Sequence, residues 1–134
     1  MPDDVGAVFA AMPDAAGACL RNVRAAIFAV AARDADIGAL TETLKWGEPA
    51  YLTQATRSGS TIRLGQSRKT AGRCAIFVNC NTTLADTVRT RFPELEVEGD
   101  RAVLIDPDRP LPEAVAPVLS LALRYHLDKR VGAA

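Results

Sequence analysis

The sequence predicts a mostly antiparallel α+β domain, with element order ααα, βββ, α, ββ, α and therefore five strands. Three observations carry this expectation. Apolar residues recur at helical spacing up to about residue 45, and short strand-like runs then follow one another without a helix between the first three. Helical spacing returns near residue 83 and again at the end of the chain. At 134 residues the chain has room for one core, so residues 1–134 read as a single domain.

At the start, Asp3 or Asp4 is placed to cap a short helix carrying Val5, Val8, Phe9 and Met12. Pro13 ends it and suits the first turn of a second helix, about 14–33, with an apolar stripe of Leu20, Val23, Ile27 and Val30. A third helix is expected over 36–45 from Ile37, Leu40 and Leu44, with Lys45 near its C-terminal dipole end. Gly47 and Pro49 forbid its continuation, so "TLKWGEPAYLT" reads as the passage from helix to first strand. In that reading Trp46 packs partly against the helices, and Tyr51, deeper in the strand, is the better wall for a groove.

Strands are expected near 49–53, 60–66 and 73–79, the first two separated by the polar turn "QATRSGS". "CAIFVN" is nearly all apolar, as in a strand buried on both faces. Thr83 with Asp86 resembles a capping box for a helix bearing Leu84, Val88 and Phe92. "ELEVEGDRAVLID" predicts a hairpin turning at Gly99-Asp100, its outer edge protected by Glu94, Glu96 and Glu98. A last helix is expected from Pro112 to about 130, with Pro117 kinking it or delaying its start.

Sixteen basic and sixteen acidic residues cancel, so global charge calls for neither nucleic acid nor membrane as a partner. The acidic start and the lack of an apolar run of membrane-spanning length lead to the expectation of a cytoplasmic protein. Cys19, Cys74 and Cys80 are odd in number and lack metal spacing, which fits buried thiols.

Locally the charge is uneven. No acidic residue lies between Glu48 and Asp86, while Arg57, Arg63, Arg68, Lys69 and Arg73 all do. Arg63 falls mid-strand, and the helix beginning near Thr83 offers free N–H groups to an anion, with Asn79, Asn81 and Thr82 beside it. Trp46, Tyr51, Arg63, Asn79, Asn81 and Thr82 are accordingly the candidate ligand-binding residues, for an unknown small anionic ligand or peptide. The basic stretch has no interleaved aromatic to stack bases, so nucleic acid is not the expected partner.

Catalytic candidates are sparse. His126 is the only histidine, which excludes histidine-rich metal sites. A Cys80–His126 pair leaves an enzyme open as a further alternative, although no local signature supports it. Glu94, Glu96 and Glu98 offer carboxylates to a metal, but a row along one strand is poor chelating geometry. No cofactor is called for. Monomer and homodimer both remain open.

The stretches "ETLKWGEPAYL" (42–52), "GSTIRLG" (59–65), "CAIFVNCNTTLADTVR" (74–89), "VEGDRAVLI" (97–105) and "LALRYHLDK" (121–129) together resemble the YdhG-like family of small bacterial domains of unknown function. The resemblance covers most of the chain beyond residue 40. It implies a sheet with N- and C-terminal helices packed mainly on one face. One branch of that family is described as a frataxin-like iron chaperone, which makes iron delivery the alternative to a binding module, with Glu94, Glu96 and Glu98 as the acidic surface.

Overall fold

The computed structural model describes residues 1–132. Helices α1 (Asp3–Ala11) and α2 (Asp14–Ala32) lead into strands β1 (Thr41–Lys45), β2 (Glu48–Leu52), β3 (Ile62–Gln66) and β4 (Cys74–Phe77). Helix α3 (Leu84–Arg91), strands β5 (Glu96–Glu98) and β6 (Ala102–Ile105), and helices α4 (Val115–Leu123) and α5 (Tyr125–Arg130) complete the chain. The sheet has six strands in the order β1-β2-β3-β4-β6-β5, every neighbour antiparallel. The α+β class agrees with the sequence reading; the strand count does not.

The additional strand is β1, where a helix over 36–45 was expected. Residues 34–38 form turns instead, tied by Asp34 Oδ1 accepting from the Asp36 N–H, with Gly38 at φ 70°. Thr41 and Thr43 alternate with Glu42 and Leu44, a period-two pattern that β-branched threonine favours in strands. Lys45 pairs with Glu48, so Trp46 and Gly47 alone make the turn, at φ 55° and 76°. Two successive left-handed residues define the type I′ hairpin turn. Trp46 and Gly47 therefore join two strands rather than a helix and a strand.

Pleating and register divide the sheet into two unlike faces. Tyr51, Ile62, Leu64, Cys74, Ile76, Val78, Val103 and Ile105 join the main core with side chains from α1, α2, α3 and α4. Full burial of each large aliphatic side chain contributes about 1.5–3 kcal/mol. On the other face Ala75, Ala102 and Leu104 form a small separate cluster with Phe77, and no helical residue joins it. The sheet's second face is thus bare of helices. "CAIFVN" is apolar on both sides because small residues shelter between larger strand neighbours, with Phe77 only half-buried.

Helix α2 is, by length and composition, apolar enough to cross a membrane, contrary to the expectation that no such run exists. In the fold its Leu20, Val23 and Ile27 are fully buried in the main core. Pro117 lies in the first turn of α4, where its missing N–H has no intrahelical role, so the helix starts late instead of kinking there. The break comes at Arg124. There Ser58 Oγ donates to the Leu123 carbonyl (2.8 Å) and the Ser58 carbonyl accepts from the Leu127 N–H (2.8 Å). One serine takes both halves of an i→i−4 bond, a known cause of helix interruption. The "QATRSGS" turn is therefore partly buried: a Cβ on Gly59 would overlap the Leu123 backbone.

At the sheet's far edge Glu98 pairs with Ala102, which makes a three-residue loop, Gly99 to Arg101, instead of a two-residue turn at Gly99-Asp100. The Val78 N–H donates to the Arg101 carbonyl (2.7 Å), which keeps Arg101 in the β4–β6 ladder. The capping box at Thr83 does not form. Thr83 makes no side-chain cap, and Thr82 Oγ1 accepts from the Leu84 N–H at 3.3 Å instead.

Candidate functional site on the bare sheet face

The registers place Ala50, Arg63, Phe77 and Ala102 side by side across β2, β3, β4 and β6 on the bare face. The next row holds Gly65, Ala75 and Leu104. Small residues in the middle of a sheet leave a hollow, and longer side chains at its margin wall it. One groove of about 580 Å³ runs between Trp46, Arg63, Phe77, Arg101 and the basic loop residues Arg68 and Lys69. A second, of about 240 Å³, shares Trp46, Arg63 and Arg101 and adds Lys45, Asn79 and Cys80.

Arg63 is half-buried at the centre. Its Nη1 donates to Glu48 Oε1 at 2.5 Å, and its guanidinium carbon lies 5.4 Å from the Phe77 ring centroid. Glu48 lies across β3, over the place a side chain at Gly65 would occupy, so glycine there makes the Arg63–Glu48 pair sterically feasible. Burial raises the Glu48 carboxyl above its usual range, outweighing the stabilisation of its charged form by Arg63 and Arg68. The guanidinium retains donors beyond the one used on Glu48.

Trp46 is 89% exposed at the hairpin tip. It occupies a left-handed position that Asn, Asp or Gly ordinarily fills, at a conformational cost of roughly 1 kcal/mol. Trp46 was expected to pack partly against the helices and Tyr51 to wall a groove, but the structure reverses the two.

Tyr51 is fully buried on the helix-covered face, edge-on to Phe28 at 5.9 Å, with its hydroxyl donating to Glu42 at 2.8 Å. Burial, reinforced by the Glu42 carboxylate, pushes its phenol far above the ordinary value. Tyr51 pairs with Ile62, so Arg63, one residue along β3, points to the opposite face.

Asn79 reaches the smaller groove beside Arg101. Its side-chain oxygen accepts from the Asn81 N–H (2.8 Å), and its carbonyl accepts from the Thr82 hydroxyl (2.6 Å). Asn81 and Thr82 thus build the turn into α3 and line neither groove. The α3 N-terminus is partly satisfied, since the Thr83 N–H donates to the Tyr125 hydroxyl and the Leu84 N–H to Thr82. Of the six candidates, Trp46, Arg63 and Asn79 come together around the bare face; Tyr51, Asn81 and Thr82 do not join them.

Lys45, Phe77 and Arg101 also line the grooves, although none was among the candidate ligand-binding residues. Period-two alternation would have put Phe77 on one side of its strand. Its neighbour across the sheet depends on register, which the sequence does not display. The basic loop is held in place by an acid: Glu98 accepts from the hydroxyls of Ser67 (3.0 Å) and Thr70 (2.6 Å).

Glu96 pairs with Arg73 at 3.4 Å, and Glu94 precedes β5. The three glutamates thus point to separate tasks, and among the described residues no group of three or more His, Cys, Asp or Glu side chains is arranged to hold a metal. Cys80 lines the smaller groove, whereas His126 lies on α5 with its ring 5.3 Å from that of Tyr125. Compared with models of protein families, with curated proteins and with solved structures, the chain matches none.

Proposed function

We propose that the chain is a non-enzymatic binding module of YdhG-like type, holding a small anionic or polar ligand, or a peptide carboxylate, on its bare sheet face. The observation that carries this reading is Trp46. A large apolar side chain is kept almost fully exposed, on a backbone that disfavours it, beside an arginine with donors to spare. Trp46 buries little of its surface in the fold, and exposed aromatics next to convergent polar groups are how ligand sites are commonly built.

Because Trp46 is the only tryptophan, its emission reports directly on the site. Titration with citrate, pyrophosphate and a short acidic peptide is expected to shift that emission saturably for at least one of them. Arg63→Gln should weaken the response roughly ten- to 150-fold, in line with the 1.5–3 kcal/mol of a charge-assisted hydrogen bond. An unchanged affinity in that variant, or no response to any of the three, would remove the basis for the proposal.

A further inference from the structure

Building on the anion-binding reading above, we infer that the bare sheet face holds a single-stranded stretch of nucleic acid, with Trp46 as a base-stacking platform. The linear sequence argues against such a partner because its basic stretch lacks aromatics. Folding removes that objection. Trp46 comes from the β1–β2 turn and Phe77 from the end of β4, and both line the same groove as Arg68 and Lys69.

Single strands are bound by aromatic side chains that stack on successive bases and by cations that follow the phosphates. Antiparallel sheets with one uncovered face offer both in an extended array. The larger groove contains four cationic side chains, Arg63, Arg68, Lys69 and Arg101, and the smaller adds Lys45 without any carboxylate. Three carboxylates line the larger one, and each is already engaged: Glu48 by Arg63, Asp100 by Arg101, and Glu98 by the hydroxyls of Ser67 and Thr70. Arg68 and Lys69 make no ion pair among the described residues, so the surplus charge is positive where a backbone would pass.

The shape favours a strand over a free nucleotide. A face with no helix over it gives a free nucleotide few contacts, whereas a strand gathers several shallow contacts along its length. A duplex is disfavoured because its bases are already stacked and give Trp46 no free face. Asn79, with its side-chain NH2 still available, is placed beside Arg101 to meet a base edge.

The test uses the full chain and a fluorescein-labelled twelve-nucleotide oligouridylate at low salt, read by anisotropy and by quenching of Trp46. Saturable binding is expected, with affinity falling with salt at a log–log slope of about −2 to −3, as three or four phosphate contacts require. Trp46→Asn should weaken binding roughly five- to 150-fold. Its melting temperature should be unchanged or higher, which separates lost stacking from lost folding. Replacing Arg68 and Lys69 by Gln should reduce the slope by about 1.4.

Undiminished binding by Trp46→Asn overturns the inference. So does equal affinity for a duplex of the same length, or equal quenching by uridine monophosphate. If citrate or pyrophosphate shifts Trp46 while oligouridylate does not, the anion site stands and the single-strand reading falls. If none of them does, both fall.

Discussion

Two arginine–glutamate pairs of equal length, 2.5 Å, occupy opposite faces of the same sheet. On the helix-covered face Glu42 accepts two hydrogen bonds from Arg24 and a third from the Tyr51 hydroxyl. On the bare face Glu48 accepts one from Arg63. Burial acts on both carboxylates. At Glu42 the bonds from Arg24 and Tyr51 outweigh it and hold the group below its ordinary value; at Glu48 burial prevails and the group is raised. The same two residue types thus make a closed structural lock on one side and a half-satisfied pair on the other. Glu48's single hydrogen bond and the open groove before it are what set the bare-face pair apart from scaffolding.

Removing one partner from each pair sharpens this contrast most. Glu42→Gln leaves Arg24 and the buried Tyr51 hydroxyl underserved and should destabilise by roughly 2–4 kcal/mol, against less than about 1 kcal/mol for Glu48→Gln. Urea denaturation at neutral pH measures both, and equal losses would break the comparison. The pH dependence carries opposite signs. Glu42, depressed in the folded state, adds stability above pH 4.5 that is lost as pH falls through its folded value. Glu48, raised in the folded state, adds stability that is full below pH 4.5 and is lost as pH rises through its folded value. The stability difference between wild type and Glu42→Gln should therefore grow with pH across this window, and that for Glu48→Gln should shrink.

A matched pair of glycines gives the next largest effect. At Gly59 an added methyl meets the backbone of Leu123, which cannot move without disturbing the α4–α5 break, so Gly59→Ala should destabilise by roughly 2 kcal/mol or more. At Gly65 the same methyl meets the far end of the Glu48 side chain and, more loosely, Phe77. Gly65→Ala should lower stability by less than about 1 kcal/mol while displacing Glu48 and changing ligand affinity. Thermal melts with the emission titration test both halves; a large melting-temperature loss in Gly65→Ala would count against the bare face being adaptable.

Trp46→Asn is expected to have the smallest effect on stability and the opposite sign. Asparagine before Gly47 suits the type I′ turn, so the variant should gain about 0.5–1 kcal/mol. A loss of stability would show that Trp46 contributes to folding, contrary to its exposure.

The sequence by itself determined the α+β class, the terminal helices, the buried stripe of α2 and the mid-strand position of Arg63. These follow from local periodicity and from proline and glycine, which act within a few residues. The β1 error had a local cause too: Ile37, Leu40 and Leu44 satisfy a helical spacing, while the alternation of Thr41 to Lys45 gains its advantage only by pairing with β2. Only the tertiary structure decided which face each strand residue occupies relative to the helices. It also decided that Tyr51 is sealed and Trp46 free, and that Lys69, Arg101, Phe77 and Trp46 meet around one groove. Those outcomes depend on strand register and on where the helix layer lands, and both are set by contacts between residues far apart in the chain.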